Sequence, residues 1–516
     1  MRPLIRVNQV GYLTAGPKCA TWVHDSAAAE PFAVVQDASV VLRGASQPRG
    51  VDAASALAVH LLDFGALPDG TGYHLVAGDD HSHPFRVGSG LYGPLYRDAL
   101  RVFYLLRSGC PIDDARAPGY GRPAGHTADT AVPGVGERVY PGWRPTGTFD
   151  VSGGWYDAGD YGKYTVSGGI ALWQLLEAQR LRPDPLLEQE CRFQLAWMLR
   201  MRVPDGQPYA GMAFHRVHGH TWSPMPGWPH EDPTERVLHR PSTAATLHLA
   251  AVVAKAALVL HEPAYLPMAH AAYRAAAAHP DLIAPDDEGR YGGGPYGDPD
   301  VTDDFAFAAA ALGLETPTGD FPLDGFDFDA VSGPTQLDLA LAGRIPPDGV
   351  RQAGDRLLEL QARQPWGQPY APAGGWSWGS NGRILNNLVV LAVAHQLTGA
   401  RRFRDGVARG MDYLLGRNGL GQSYIVGYGP DASRHLRTRQ FGHDLDPAMP
   451  PPPPGALAGG ANSVPTPGFP SDPRLAGRPP QLCYLDEPTS ETTNDLCVRW
   501  NAPLVYVTAF LDRHPG

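Results

Sequence analysis

Cysteine is scarce. The five, Cys19, Cys110, Cys191, Cys483 and Cys497, are odd in number and widely spaced over 516 residues. That pattern excludes a disulfide framework and leaves buried, reduced thiols as the default. Long apolar runs are missing too. The most apolar helical stretch, 247–260, carries Lys255 and is too short to span a bilayer. The opening MRPLIRVNQVGY has no apolar signal core. The expectation is a cytoplasmic protein, or a secreted one whose signal is not part of this sequence. Positive charge is in short supply: 42 Lys and Arg face 53 Asp and Glu, a net charge of −11. Nucleic acid and anionic membrane are poor partners for such a chain, and a neutral substrate suits it. No short internal repeat is visible.

Glycine (61) and proline (52) are plentiful, which points to long structured loops. Over residues 1–88, short β-branched or aromatic stretches recur at 5–8, 20–23, 32–35, 40–42, 59–62 and 73–76, with turn clusters between them. Regular short strands of this kind predict a β-sandwich. From residue 92 the apolar spacing becomes helical. Helical runs follow at 166–179, 186–200, 243–261, 265–278, 303–314, 337–342, 350–364, 386–398, 403–415 and 501–511. Several are apolar nearly all round, so both of their sides are buried. Paired helices in a closed toroid fit this pattern. Gly399 stands where a helix C-terminal glycine belongs. The run Pro450 to Pro454 lies inside a long loop, 429–493.

The chemistry concentrates at 151–169, VSGGWYDAGDYGKYTVSGG. Asp157 and Asp160 lie three residues apart among glycines and aromatics. Gly153, Gly154 and Gly159 allow tight turns and close approach to a ligand. Two close carboxylates can share one water, one orienting it and the other removing its proton. An Asx-rich turn capping the helix that begins near Val166 is the competing reading. Trp143, Trp155, Trp376, Trp378, Tyr424, Tyr428 and Trp500 offer flat apolar faces for sugar rings, although any one of them serves equally well as core. His215, His218, His220, His230 and His239 fit no helical ligand pair and read as a loop over a cleft.

Taken in order, these segments resemble glycoside hydrolase family 9, in the branch with an N-terminal immunoglobulin-like domain. The resemblance rests on IRVNQVGYL (5–13), DVSGGWYDAGDYGKY (150–164), PSTAAT (241–246), WGSN (378–381) with LNN (385–387), YLLGRNGLGQSYIVGYG (413–429), LAGGAN (457–462), CYLDE (483–487) and TNDLCVRWNAPLVY (493–506). It implies an immunoglobulin-like β-sandwich over 1–88 and an (α/α)6 barrel over 89–516. The implied activity is inverting hydrolysis of β-1,4-glucan or its oligosaccharides, with no cofactor in the chemistry. Asp160 would be the general base and Asp157 its water-positioning partner. The family's acid is the glutamate of a Thr-Asn-Glu triplet, and here the triplet is Thr493-Asn494-Asp495. Asp495 is thus the implied acid, with Glu491, one helical turn earlier, as the alternative. Aspartate is one methylene shorter, and a misplacement of about 1 Å can cost on the order of 10²-fold in rate.

A second departure is close by. The family's Arg-x-x-His-His-Arg pattern reads here Arg434, His435, Leu436, Arg437, Thr438 and Arg439. Arg437 and Arg439 join Tyr424, Trp155, Trp376, Trp378 and Trp500 as expected substrate contacts. The changed loop keeps two alternatives open: an exo-acting β-glycosidase on an amino or otherwise modified sugar, and a catalytically weakened sugar-binding protein. The resemblance also implies metals. Of a structural zinc site, Cys110 and His126 match, but Gly125 replaces the second cysteine and no histidine follows before Asp150, so zinc is not expected. Calcium, in contrast, has Asp300, Asp303 and Asp304 as candidate oxygen ligands, set against the ordinary preference for acids at a helix start.

Overall fold

The computed structural model describes residues 2–284, 292–316 and 322–515. Its first part is two packed sheets. One has the order β1 (Ile5–Arg6), β2 (Cys19–Val23), β6 (Ala58–Asp63), β5 (Gln47–Val51). The other runs β4 (Ser39–Ala45), β3 (Pro31–Gln36), β7 (Gly70–Ala77), β8 (Asp80–His81), with β9 (Phe85–Val87) also on β7. All these pairings are antiparallel. Alternate residues of the long strands, among them Trp22, Phe32, Val34, Leu62 and Leu75, meet between the sheets in a core of their own. β5, β8 and β9 were not expected. β5 reads QPRGV, is mostly exposed and pairs on one side only, so it carries no apolar alternation.

The helical part starts at α1 (Tyr92–Leu105). Among the described residues six helices close a ring: α2 (Thr165–Leu181), α4 (Thr243–Val259), α6 (Thr302–Leu312), α7 (Ser332–Leu341), α9 (Ser380–Thr398) and α12 (Val498–Arg513), with α12 returning to α2. α1 packs on α12, α3 (Pro185–Arg200) on α2, and α5 (Leu266–Ala278) on α4. α8 (Asp348–Arg363) and α10 (Arg401–Leu414) pack on α9. α2, α4 and α12 are buried along nearly their whole length because they have neighbours on both sides, as their all-round apolar sequences require. Asp184 caps α3 ahead of Pro185, Ser242 caps α4, and Gly399 ends α9 at φ 67°. Each sequence-predicted helical run is a helix. The one-turn α11 (Glu491–Asn494) is additional.

The two parts meet through buried polar contacts. Asn8 Nδ2 donates to Asp412 Oδ1 (2.9 Å), Gln9 Nε2 to the Gly421 carbonyl (3.1 Å) and Arg417 Nε to Thr21 Oγ1 (3.0 Å). His83 reaches Asp431 (2.7 Å). Among the described residues no helix is long and apolar enough to cross a membrane.

Candidate active site

The segment after β11 (Thr148–Phe149) leads into α2, and its Ala158 bridges Cys497 at the start of α12. A buried charge cluster anchors it from below. Lys163 Nζ lies 2.7 Å from Asp129 and donates to the carbonyls of Val151 and Gly153. Arg236 grips Asp129 (3.0 Å) and donates to the Tyr161 carbonyl (2.9 Å). Burial works against the Asp129 charge, but Arg236 and Lys163 hold its carboxyl below the ordinary range. Burial draws Lys163 down to about 8. Sequence reasoning missed this anchor, because Asp129, in a short 3-10 turn, and Arg236, at the start of a three-residue strand, carry no motif and stand 107 positions apart.

Asp157 sits behind the loop and is 2 % exposed. Ser167 Oγ donates to its Oδ1, and Tyr296 Oη (2.6 Å) and Cys497 Sγ (3.6 Å) donate to its Oδ2. Burial raises it to about 6, against the pull of the Ser167 and Tyr296 hydrogen bonds. Asp160 is half-buried on the other side of the turn. Its Oδ2 accepts from Gly162 N (2.9 Å) and Tyr164 Oη (3.3 Å).

The second carboxylate segment crosses directly beside the first. Asp495 follows α11 in extended conformation. Its Oδ1 accepts from Gly159 N (3.1 Å) and Leu496 N (2.9 Å). Ala158 bridges Cys497, Arg437 bridges Asp495, and the Arg439 guanidinium donates to the Gly159 carbonyl (3.0 Å). Asp495 is 8 % exposed, and burial lifts its carboxyl well above the ordinary range, with the Arg437 charge opposing and Asp160 and Glu491 adding to the rise. Glu491 Oε1 takes a hydrogen bond from Arg437 (3.0 Å).

These groups converge on one cavity of about 260 Å³. Asp160, Arg437, Arg439, Glu491 and Asp495 line it, as do Trp378 and Trp500. Tyr164, one of the aromatics around the paired aspartates in the sequence, also lines it; Trp222, Tyr296, Phe328, Phe469 and Arg499 line it and were not foreseen. Three expected platforms are elsewhere. Trp155 is core: it lies edge-on to Phe103 (4.7 Å), and its Nε1 donates to Glu190. Trp376 packs on Tyr370 and Tyr413, and Tyr424 on Tyr484. All three rings are buried in the core, and none of them lines the cavity. The histidines also differ from expectation. His215, His218 and His239 are buried among short strands: β14 (Arg216–Gly219) holds His218, and the rings of His218 and His239 are 4.6 Å apart.

Among the described residues no group of three or more His, Cys, Asp or Glu side chains is placed to hold a metal ion. His126 is shared between Tyr156 Oη (2.7 Å) and Asp232 (3.0 Å). A Cβ at position 125 would stand 2.6 Å from Pro229 and from Tyr156 Oη. The acidic run does not gather as expected. Asp300 faces solvent and accepts from Thr302 N in a local turn, and Asp303 accepts from Val331 N. The close pair is Asp298 with Asp304: burial and the Asp304 charge raise Asp298 to about 8, and burial with the Asp303 charge raises Asp304, against a hydrogen bond from Asp298.

Both parts of the chain are similar to known proteins. A family model for the cellulase N-terminal immunoglobulin-like domain matches residues 1–82. Endoglucanase C of Cellulomonas fimi is 43% identical over 574 residues, covering 99% of this chain, which spans only 52% of that protein. A cellulose 1,4-beta-cellobiosidase of Acetivibrio thermocellus is 36% identical over 609 residues, with 99% and 67% covered. Among solved structures, AaCel9A in complex with cellobiose-like isofagomine superposes with a TM-score of 0.85 at 27% identity, and a Bacteroides ovatus GH9 structure with 0.84 at 27%, each covering 99% of both chains. With residues 92–333 and 342–508 matched by the family's own model, this chain belongs to glycosyl hydrolase family 9.

Proposed function

We propose that this chain is an inverting glycoside hydrolase acting on β-1,4-glucan or its oligosaccharides. One observation carries the reading: two carboxylates with opposite protonation needs, Asp160 and Asp495, line one aromatic cavity. Asp160 removes a proton from a water as that water attacks the anomeric carbon. Asp495 gives its proton to the leaving oxygen as the glycosidic bond breaks on the opposite face, so the anomeric configuration inverts. A donor must hold its proton until then, and burial gives Asp495 that property. Glu491 is the weaker candidate because Arg437 already takes its oxygen. Asp157 supports the base from behind, through the turn that joins them. Arg437, Arg439, Trp378 and Trp500 hold the sugar.

Calcium is proposed only as a structural ion. The facing oxygens of Asp298 and Asp304 suit a hard cation in place of a shared proton. A second reading, a weakened enzyme that mainly binds sugar, is favoured by one contact set: Asp495 Oδ1 is drawn back onto two backbone N–H groups. Proton NMR of cello-oligosaccharide cleavage tests the pair. The α-anomer should appear first, Asp160→Ala should abolish turnover, and Asp495→Asn should lower kcat by roughly 10²–10⁴-fold. Sugar binding with no bond cleavage over days selects the second reading.

A further inference from the structure

Three segments distant in sequence bring rings to the same cavity. Trp222 follows β14, Trp378 precedes α9, and Phe469 belongs to the long loop before α11. Phe469 lies 5.1 Å from Trp378 between centroids, at 69°, and 6.2 Å from Trp222, at 77°. Both spacings are direct edge-to-face contacts. Trp222 is itself tied to the site: the Arg439 guanidinium is 5.7 Å from its ring centroid, and Arg439 also holds the Gly159 carbonyl. The rings therefore form a continuous bar from the α9 side of the cavity to the Arg439 side.

The bar is stiff. Pro465, Pro467 and Pro470 flank the tip, and Phe469 N donates to the Thr466 carbonyl (3.1 Å). Phe469 is only 8 % exposed although it sits in a loop, whereas Trp222 is 39 % exposed. A glucan lying through an open groove would have to pass between rings that already touch. A chain end needs no such passage.

We infer that Trp222 and Phe469 close the groove and make this a chain-end-acting enzyme, which takes ends and short oligosaccharides rather than internal bonds. The inference rests on the hydrolase reading, and the test separates the two. Carboxymethylcellulose viscosity and new reducing ends are followed together for the purified chain, with cellohexaose cleavage alongside. The expected result is cellohexaose cleavage with little viscosity lost per reducing end. In Trp222→Ala with Phe469→Ala, viscosity loss per reducing end should rise several-fold. Trp222→Ala alone removes a part-exposed ring at little risk to folding and should shift the ratio the same way. A wild-type ratio as steep as the variants' overturns the bar, whatever happens to their folding. Absence of cellohexaose cleavage by the wild type overturns the hydrolase reading and the bar with it.

Discussion

Gly159 to alanine is the sharpest test of how the two carboxylate segments depend on each other. Gly159 lies outside the left-handed region, so alanine brings no backbone strain of its own. The obstacle is contact. An added Cβ would stand 2.2 Å from the Arg437 carbonyl oxygen and 2.6 Å from Asp495 Oδ1. The closer contact falls short of the 3.0 Å that real Cβ atoms keep by about 0.8 Å. The Arg437 oxygen is backbone, and its segment bridges Asp495, so no flexible side chain can absorb the shift. The Asp160 turn and the Asp495 segment must part by nearly that amount. Overpacking of this kind costs about 1–3 kcal/mol. A displacement near 1 Å between catalytic groups lowers the rate on the order of 10²-fold. Initial rates of cellohexaose cleavage, with a thermal melt to show that the fold persists, measure both. A folded Gly159→Ala protein with kcat/KM within a few-fold of wild type would refute the reasoning.

Other consequences follow from protonation. As the proposed acid, Asp495 must carry its proton to act, and its raised pKa makes loss of that proton the high-pH limb of the activity profile. The kcat/KM profile should fall there as pH rises, and residual activity in Asp495→Asn should lack that limb; an unchanged limb assigns the acid elsewhere. Burial raises Asp412 to about 7, against the pull of Arg417 and the Asn8 hydrogen bond. Its folded value exceeds its unfolded one, so its stabilising contribution is complete at low pH and is lost as pH rises through about 7. Asp412→Asn keeps the oxygen that Asn8 needs, and should flatten the fall in Tm between about pH 4 and about pH 7; a slope equal to wild type counts against it. If calcium replaces the shared proton of Asp298 and Asp304, ion at about 100 times its Kd should add roughly 2.7 kcal/mol, seen as a higher Tm. Asp304→Asn should remove that rise, and its persistence would place the ion elsewhere.

Much of the architecture was legible because it rests on periodicity. The ring helices have neighbours on both sides, so 386–398 reads apolar all round, and α9 is buried as that implies. β5 was illegible for the opposite reason, since an exposed edge strand needs no apolar face. The paired aspartates were visible as a motif, and the residues around Asp495 as an altered triplet. Facing was not visible. Trp155 and Asp157 are two residues apart, yet Trp155 turns into the helix core and Asp157 toward Tyr296. The Asp129–Lys163–Arg236 anchor and the Phe469 bar join segments that only the closed ring brings together, so no local pattern announces them.

That joining has a consequence for synthesis. Gly159 and Asp495, which share a hydrogen bond, are separated by 336 positions. A nascent chain that has not yet made residue 495 lacks both the carboxylate proposed as the proton donor and α12, which packs on α2 to close the ring. On the proposed mechanism, catalytic competence has to wait until α12 docks against α2 and the proposed donor reaches Gly159.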